Sequence, residues 1–492
     1  MVQLLILSLI ALVFTGCTKA TSGSDPVIAI PEIQYYDAWV EFRDKGVRSE
    51  KQRKRIISDL EKRYNPRALK RREAKRIFPG LFDERDFPLN DAYLRKVGKT
   101  GAKVLIKSRW MNGVSVLATQ DQLDRIKMLN CVRDVLDVHE KNLKRGDYRD
   151  PIYAQSSYFN GKKASDLPGY ESNFYGLSAS QNGQINLIRV HEEGWTGEGI
   201  VIAVLDTGFD LEHKAFNNPG HRIRVLKEWD LVNNDTVTSP EAGDPQDQHY
   251  HGTHSLGVMA AYSPQELVGS AYDATYILCK PEDVVEEYPL EERWFVSALE
   301  FAESNGADIA TSSLVIYDHY SKDQMDGKTS LMAQGWNIAT GNGMIGVQGA
   351  GNAGHDDNPE TSHLETPADA IRVITVGAVD EFNEITLFSS DGPSADGRLK
   401  PEILGRGSGT YTVSASENEL YLAAAGTSIA TPLIAGGIAC LVKAHPDWTV
   451  DEIRKNLSHT GSYYREYGVW DTTYVHGYGI PDFNAVLGKN KK

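Results

Sequence analysis

Val201-Ile-Ala-Val-Leu-Asp206-Thr-Gly208 reads as a strand without polar interruption that ends in a carboxylate and a turn-forming glycine. Its apolar residues do not alternate with polar ones, which suits a strand covered on both faces. Downstream, runs of the same texture and length return at Tyr276 to Leu278, Asp308 to Ala310, Ile345 to Val347 and Val373 to Val379. Helical stretches separate several of them, such as Leu290 to Glu303 and Lys328 to Thr340. Doubly apolar strands alternating with helices predict an α/β fold with a mainly parallel sheet flanked by helices, a three-layer arrangement.

Upstream the chain changes character. Residues 27 to 139 mix basic helical stretches with the apolar runs Lys103 to Ile106, Val114 to Leu117 and Val132 to Val138, which predict a small α/β unit. Between Glu41 and Arg76 stand fifteen Lys or Arg against six Asp or Glu. Its aromatic residues, Phe42 and Tyr64, are not interleaved in a way that suggests base stacking, and the run reads as solvated helix faces. From Glu140 to Ser180 the periodicity dissolves into Lys, Gly, Asp, Tyr, Ser and Asn, as in an exposed linker open to nicking. At the start, the apolar stretch Leu4 to Phe14 is too short to span a bilayer as a helix. The Thr15-Gly16-Cys17 that follows resembles a bacterial lipoprotein signal, with Cys17 lipidated as the mature N-terminus. A plain cleaved signal is the alternative, because Met1 to Gln3 carries no Lys or Arg, and a retained membrane helix comes third. The expected organisation is a signal over 1–17 with a lipobox-like end, a small domain over 18–139, a linker over 140–179 and a main domain over 180–490.

Composition narrows the function. A chain of 492 residues with 41% hydrophobic and 24% charged residues has the make-up of a folded protein of two to three domains. The net charge of -15 excludes nucleic acid as the main partner, since phosphate binding needs a cationic face. After Cys17 an odd set of cysteines remains, Cys131, Cys279 and Cys440, which cannot form a complete disulfide framework. Cys279 and Cys440 lie in apolar runs and read as small buried hydrophobes, with a bridge between them left open.

Four segments carry chemistry. Asp206 stands where ligands gather in open α/β sheets, at the carboxyl end of a strand, although a lone Asp there is usually structural. His251-Gly-Thr-His254-Ser-Leu-Gly-Val-Met-Ala-Ala261 puts His251 ahead of a helical stretch rich in small residues. A helix start disfavours imidazolium and keeps a base neutral. Gly426-Thr-Ser428-Ile-Ala-Thr-Pro432 reads as a tight turn into a helix, with Pro432 expected in the first turn, where amides lack intrahelical partners. Ser428 is either a helix cap or a nucleophile beside free N–H groups. Gln348-Gly-Ala-Gly-Asn352-Ala-Gly354 is a glycine-rich loop after a strand, and Asn352 offers an uncharged donor.

Together an acid, a histidine, an amide donor and a serine at the edges of sheet elements supply the parts of an acyl-transfer site. Asp-Thr-Gly at 206 to 208, His-Gly-Thr-His at 251 to 254 and Gly-Thr-Ser-Ile-Ala-Thr-Pro at 426 to 432 resemble the three signatures of subtilisin-like serine proteases, in the same order along the chain. The resemblance covers about residues 180 to 490, and residues 27 to 139 look like the family's inhibitory propeptide. It implies a subtilisin-like peptidase domain and a secreted endopeptidase made as a self-inhibited precursor. Asp206, His251 and Ser428 would form the triad and Asn352 the oxyanion hole. Ser313, Leu314, Val315, Gly349, Ala350 and Gly351 would line the substrate site. Implied partners are protein or peptide substrates, the chain's own propeptide and, through Cys17, a membrane; a monomer is expected.

The chain also departs from the family pattern. Ala215 stands nine residues after Asp206, where the best-known calcium site of the family has an aspartate, so no calcium is expected at that position while a structural calcium elsewhere stays open, and the resemblance implies no cofactor for the chemistry. Val315 replaces a glycine lining the specificity pocket of many members, and Ile429 replaces a common methionine beside the serine. Two other readings compete. His249-Tyr-His251-Gly-Thr-His254 has the spacing of a zinc site but lacks the aspartate that a matching motif would have at Thr253. A non-catalytic binding protein on a protease scaffold would usually have lost one of the four site residues.

Overall fold

Every side chain of the strand Val201–Leu205 is buried, and successive residues serve two different cores. The computed structural model describes residues 34–140, 163–285, 289–316 and 320–488, so Cys17 and most of the expected linker lie outside the described residues. Tyr36–Phe42 (β1), Glu50–Arg63 (α1), Pro66–Lys75 (α2), Asp91–Gly98 (α3), Lys103–Ser108 (β2), Gly113–Ala118 (β3), Gln120–Lys127 (α4) and Val132–Glu140 (β4) make up the N-terminal unit. Its sheet runs β2-β3-β1-β4, all antiparallel. Strand alternation gives it two apolar faces. Ala38, Val40 and Phe42 pack with Leu123 and Ile126 of α4, while Trp39 turns the other way.

The main unit is a seven-stranded sheet. Its strands are Val201–Leu205 (β5), Arg224–Asp230 (β6), Thr275–Lys280 (β7), Ile309–Ser312 (β8), Ile345–Gly349 (β9), Ile374–Val379 (β10) and Ile403–Arg406 (β11). They lie in the order β11-β10-β9-β8-β5-β7-β6, and every pairing is parallel. Tyr250–Ala260 (α5) and Thr427–Ala444 (α8) cover one face with Ile202 and Val204. Leu290–Ser304 (α6) and Leu331–Gly341 (α7) cover the other with Val201, Ala203 and Leu205. The α/β three-layer reading thus holds. The stretch expected to be helical from Lys328 begins at Leu331, because the Ser330 hydroxyl accepts from Ala333 N–H and caps it there. Cys279 and Cys440 are free and buried in the cores on opposite sides of the sheet, which rules out a bridge between them. The polar texture expected of a linker up to Ser180 does not stay exposed. From Lys163 on, Ala164, Leu167 and Leu177 pack into the main core, and the Tyr411 hydroxyl bonds Pro168 O.

The N-terminal sheet lays its second face on α6. Trp39, Ile106 and Trp110 share a core with Phe295, Ala298 and Leu299 of that helix. Glu300 accepts from Ser108 Oγ (2.7 Å), Trp110 N–H (3.0 Å) and Arg109 Nε (2.6 Å), so it caps the turn between β2 and β3. One helical turn on, Glu303 receives Arg72 on both oxygens at 2.8 Å, Tyr64 Oη at 2.5 Å and also Arg71; Arg72 Nη2 bonds Asp86 as well, at 2.8 Å. The basic run is therefore not solvated throughout. Helix α1 buries none of its residues, but Arg71 and Arg72 of α2 are 5% and 1% exposed. A guanidinium tolerates such burial when its fork is fully paired.

Burial pushes the Glu303 carboxyl up, but the Arg71 and Arg72 charges outweigh it and hold the group down at about 2. Its stabilisation is therefore complete above the ordinary carboxylate range and disappears only as the pH falls from there toward about 2. Removing one partner of a buried pair costs far more than the pair contributes net. Glu303→Ala is expected to destabilise the docked N-terminal unit by about 3–5 kcal/mol at neutral pH. Denaturant unfolding of the full chain reads this, and a loss below about 1 kcal/mol, the scale of an exposed pair, would contradict it.

Candidate active site

Asp206 continues the alternation of Ile202 and Val204, so its carboxylate faces the helices α5 and α8. It is 1% exposed, and Oδ1 accepts from His251 Nδ1 at 2.6 Å and from Thr207 N–H at 2.8 Å. His251 does not precede its helix but is the second residue of α5, with His249 as N-cap. The threonines of both motifs stitch the two segments together: Thr207 Oγ1 accepts from Gly252 N–H at 3.3 Å, and Thr253 Oγ1 from Asp210 N–H at 2.8 Å. A Cβ on Gly252 would stand 2.1 Å from Gly208 O and 3.1 Å from Asp206 Cβ, so only glycine lets the helix approach this turn.

Ser428 is the second residue of α8, a helix packed against α5, and is 7% exposed. Gly426, its N-cap, has φ 142°, and a Cβ there would lie 2.6 Å from Ser428 Oγ; glycine keeps the hydroxyl clear. Pro432 does not fall in the first turn as expected, since the helix begins at Thr427. Four residues after Ser428, its missing N–H leaves Ser428 O without an intrahelical donor. Ser313 Oγ supplies the bond instead, at 3.0 Å, which ties the loop after β8 to the serine's backbone.

The loop after β9 meets the same helix end. Asn352 Oδ1 accepts from Thr427 N–H at 3.0 Å, which fixes the orientation of the amide and leaves Nδ2 as the outward donor. Its backbone N–H is held at 2.9 Å by Glu365, whose carboxylate occupies the space a Gly351 side chain would need. Gly351, at φ 110°, also bonds Thr427 Oγ1 through its N–H at 3.3 Å. Of the expected substrate-lining residues, Ser313 and Val315 remain half-buried. Leu314 is buried, Ala350 and Gly351 likewise, and Gly349 packs against Thr431 and Thr427. Thr207, Thr253 and Thr427 stand inside the motifs, but their roles and that of Glu365 are not legible in sequence, because hydroxyls and carboxylates that hold backbone leave no mark in spacing.

The zinc reading fails on geometry. Asp206 engages His251 Nδ1, and among the described residues the ligand atoms that converge are those of Asp230, Asp235 and Glu241, not of the three histidines. Burial keeps His254 neutral down to about 3, and does the same for His191 and His213 down to about 4. These rings remain unprotonated in the fold while the unfolded chain binds protons below about 6.5. Stability is thus full above that value and lost as the pH falls toward 4. The thermal midpoint is expected to decline steadily from pH 6.5 to 4, and a flat profile there would refute the assignment. Gly252→Ala, whose clash is with backbone rather than a movable side chain, is expected to destabilise by about 1–3 kcal/mol and to lower activity beyond that. A variant with wild-type melting and turnover would contradict this packing account.

Residues 197–479 match the family model described as the subtilase family, Peptidase_S8, and residues 37–152 match that of the Peptidase S8 propeptide domain, Bacteroidota. Subtilisin E of Bacillus subtilis (strain 168) is 30% identical over 342 residues, 69% of this chain and 77% of that protein. Serine protease AprX of the same organism is 28% identical over 299 residues, 54% and 61% of the two chains. Among solved structures, a protease of Pseudoalteromonas arctica PAMC 21717 aligns with a TM-score of 0.50 at 21% identity, over 64% of this chain and 99% of that one. MycP1 from the ESX-1 type VII secretion system does so with 0.52 at 19%, over 66% and 89%. At such identities the structural likeness is one of fold. The family match and the subtilisin relationship go further: this chain belongs to the subtilase family and is a subtilisin-type serine protease preceded by its own propeptide domain.

Proposed function

We propose that the chain is an exported endopeptidase precursor that hydrolyses peptide bonds through Ser428, His251 and Asp206. The observation that carries this reading is the 2.6 Å bond from His251 Nδ1 to buried Asp206, at the strand end facing the helix that bears Ser428. With Nδ1–H donating to Asp206, the Nε2 lone pair is left to accept a proton. Ser428 Oγ attacks the substrate carbonyl as His251 Nε2 takes its proton. The same nitrogen delivers that proton to the leaving amine, and water then releases the acyl group. Asp206 fixes the tautomer and balances the imidazolium charge. Asn352 Nδ2 and Ser428 N–H receive the oxyanion. These steps draw on side chains and backbone alone, as subtilases need no cofactor for catalysis. Ala215 is buried and brings no side-chain oxygen to the position of the family's best-known calcium site, so none is assigned there.

The division into a signal at 1–17, a propeptide at 18–139, a linker at 140–179 and a peptidase at 180–490 belongs to this proposal. Ala164, Leu167 and Leu177 pack into the main core, which supports a processing bond N-terminal to Ala164. Lipidation at Cys17 and export rest on the apolar stretch and the Thr15-Gly16-Cys17 sequence. The docked propeptide, held by Glu300 and Glu303, keeps the precursor inactive.

The purified wild-type chain is expected to cut itself in the linker and to lose peptidase activity to a fluorophosphonate but not to a chelator. Ser428→Ala is expected to stay joined; normal cutting of that variant would refute self-processing, and inhibition by the chelator alone would refute the serine mechanism. Asn352→Ala is expected to lower kcat by about 10²–10³ with little change in KM, a magnitude carried over from subtilisin, a relative of this chain. Near-wild-type turnover by that variant would contradict the oxyanion assignment.

A further inference from the structure

One buried cation lies beside the site without a part in the chemistry above. Lys280, the last residue of β7, is 1% exposed, and its Nζ lies 2.9 Å from Asp230 Oδ2 and 2.9 Å from Asp244 Oδ2. Asp230 is fully buried and the Asp244 side chain nearly so. The place is crowded with negative charge, since Asp235 and Glu241 converge with Asp230.

Strand pairing puts this ammonium next to the catalytic acid. Leu205 is opposite Cys279 in register, and Cys279 O accepts from Asp206 N–H at 3.0 Å. The lysine stem runs beneath the Asp206-Thr-Gly208 turn, with Cδ 3.4 Å from where a Gly208 side chain would begin. On its other edge β7 pairs Lys280 with Asp230, the end of β6. From there an irregular segment, 231–249, leads to α5 and His251. Asp244 on Lys280 fastens the middle of that segment, and Phe209 N–H bonds Thr238 O at 2.8 Å. Gln248 Nε2 fastens its end, donating at 2.7 Å to Thr207 O and to Glu282 O. The segment that delivers His251 is thus pinned to the turn that delivers Asp206, and Lys280 is an ionic pin in that attachment.

We propose that Lys280 is a positioning residue for the Asp206–His251 pair. Its ammonium gathers Asp230 and Asp244 under the acid's turn and so sets the entry of α5, without touching substrate. Without that charge the carboxylates repel one another, and an isolated buried carboxylate is far too costly to stay in place. The segment then relaxes and the imidazole loses its register on Asp206. This inference rests on the triad reading above. A misplacement of about 1 Å at a reacting pair can cost on the order of 10²-fold.

The test compares full-length wild type with Lys280→Met and Asp244→Asn. The first reading is the downfield proton resonance of the His251 Nδ1–H bonded to Asp206, which does not depend on Ser428 doing chemistry. It is expected to be sharp in wild type and lost or broadened in both variants, at temperatures where each is folded. The second reading is steady-state kinetics after processing: kcat should fall by about 10-fold to 100-fold with KM within about twofold, because the substrate loops are untouched. If Lys280→Met does not fold, Asp244→Asn decides, since it keeps the shape and removes one charge of the bridge. An unchanged resonance in a folded variant, or a loss expressed only in KM, overturns the proposal. A wild type with the resonance but no hydrolysis would sink the triad reading, while the resonance would still decide the role of Lys280.

Discussion

A buried 2.6 Å hydrogen bond between His251 Nδ1 and Asp206 Oδ1 is the constraint around which the main unit is arranged. It needs two partners from distant parts of the chain to meet within a few tenths of an ångström, and each neighbouring feature narrows that freedom. Parallel pairing of β5 with β7 and β8 fixes the end of the strand, and side-chain alternation then turns Asp206 toward α5. Gly252 lets the helix come down on the turn, and Thr207 and Thr253 lock the contact from both sides. The serine's helix is held with equal care, because the proline that breaks its ladder frees a carbonyl for Ser313. A tight polar array of this kind is preorganised when each member is also fixed by backbone, which is what an acyl-transfer site requires.

The propeptide domain sits on the opposite face of the sheet and shows a different balance of forces. Apolar burial by Trp39, Ile106 and Trp110 supplies area, while Glu300 and Glu303 supply register. Acid affects the two regions differently. Neutral buried histidines weaken the peptidase fold below about 6.5, whereas Glu303, held at about 2, keeps its arginines well into the carboxylate range. Acidification alone therefore loosens the enzyme before it loosens this clamp.

Much of this was legible in the sequence where a single physical rule governs. Uninterrupted apolar runs predict the buried strands, and the motif residues Asp206 and Asn352 follow the carboxyl ends of β5 and β9 while His251 and Ser428 stand in the first turns of α5 and α8. Edge and short elements are less legible: β6 is half-exposed and mixes polar with apolar residues without a regular period, and β11 is four residues with a glycine among them. The run of arginines misleads because charge predicts exposure, whereas Arg72 is buried against Asp86 and against Glu303, a partner more than two hundred residues away. Sequence alone puts Pro432 in a first turn, since it shows the missing donor but not the Ser313 hydroxyl that compensates for it. Lys280, Thr427 and Glu365 were silent for the same reason: each acts through a contact made by the fold, not by its neighbours in sequence.

The most direct measurement is the rate at which a fluorophosphonate modifies Ser428 in the wild-type chain and in Asp206→Asn, with the adduct located by mass spectrometry. An asparagine keeps the size of the side chain but no longer fixes the imidazole in the tautomer that accepts the serine's proton. The variant is expected to react slower by about 10⁴-fold, a size carried over from better-known serine proteases, subtilisin among them. Equal rates in the two chains, or an adduct on a residue other than Ser428, would contradict the account.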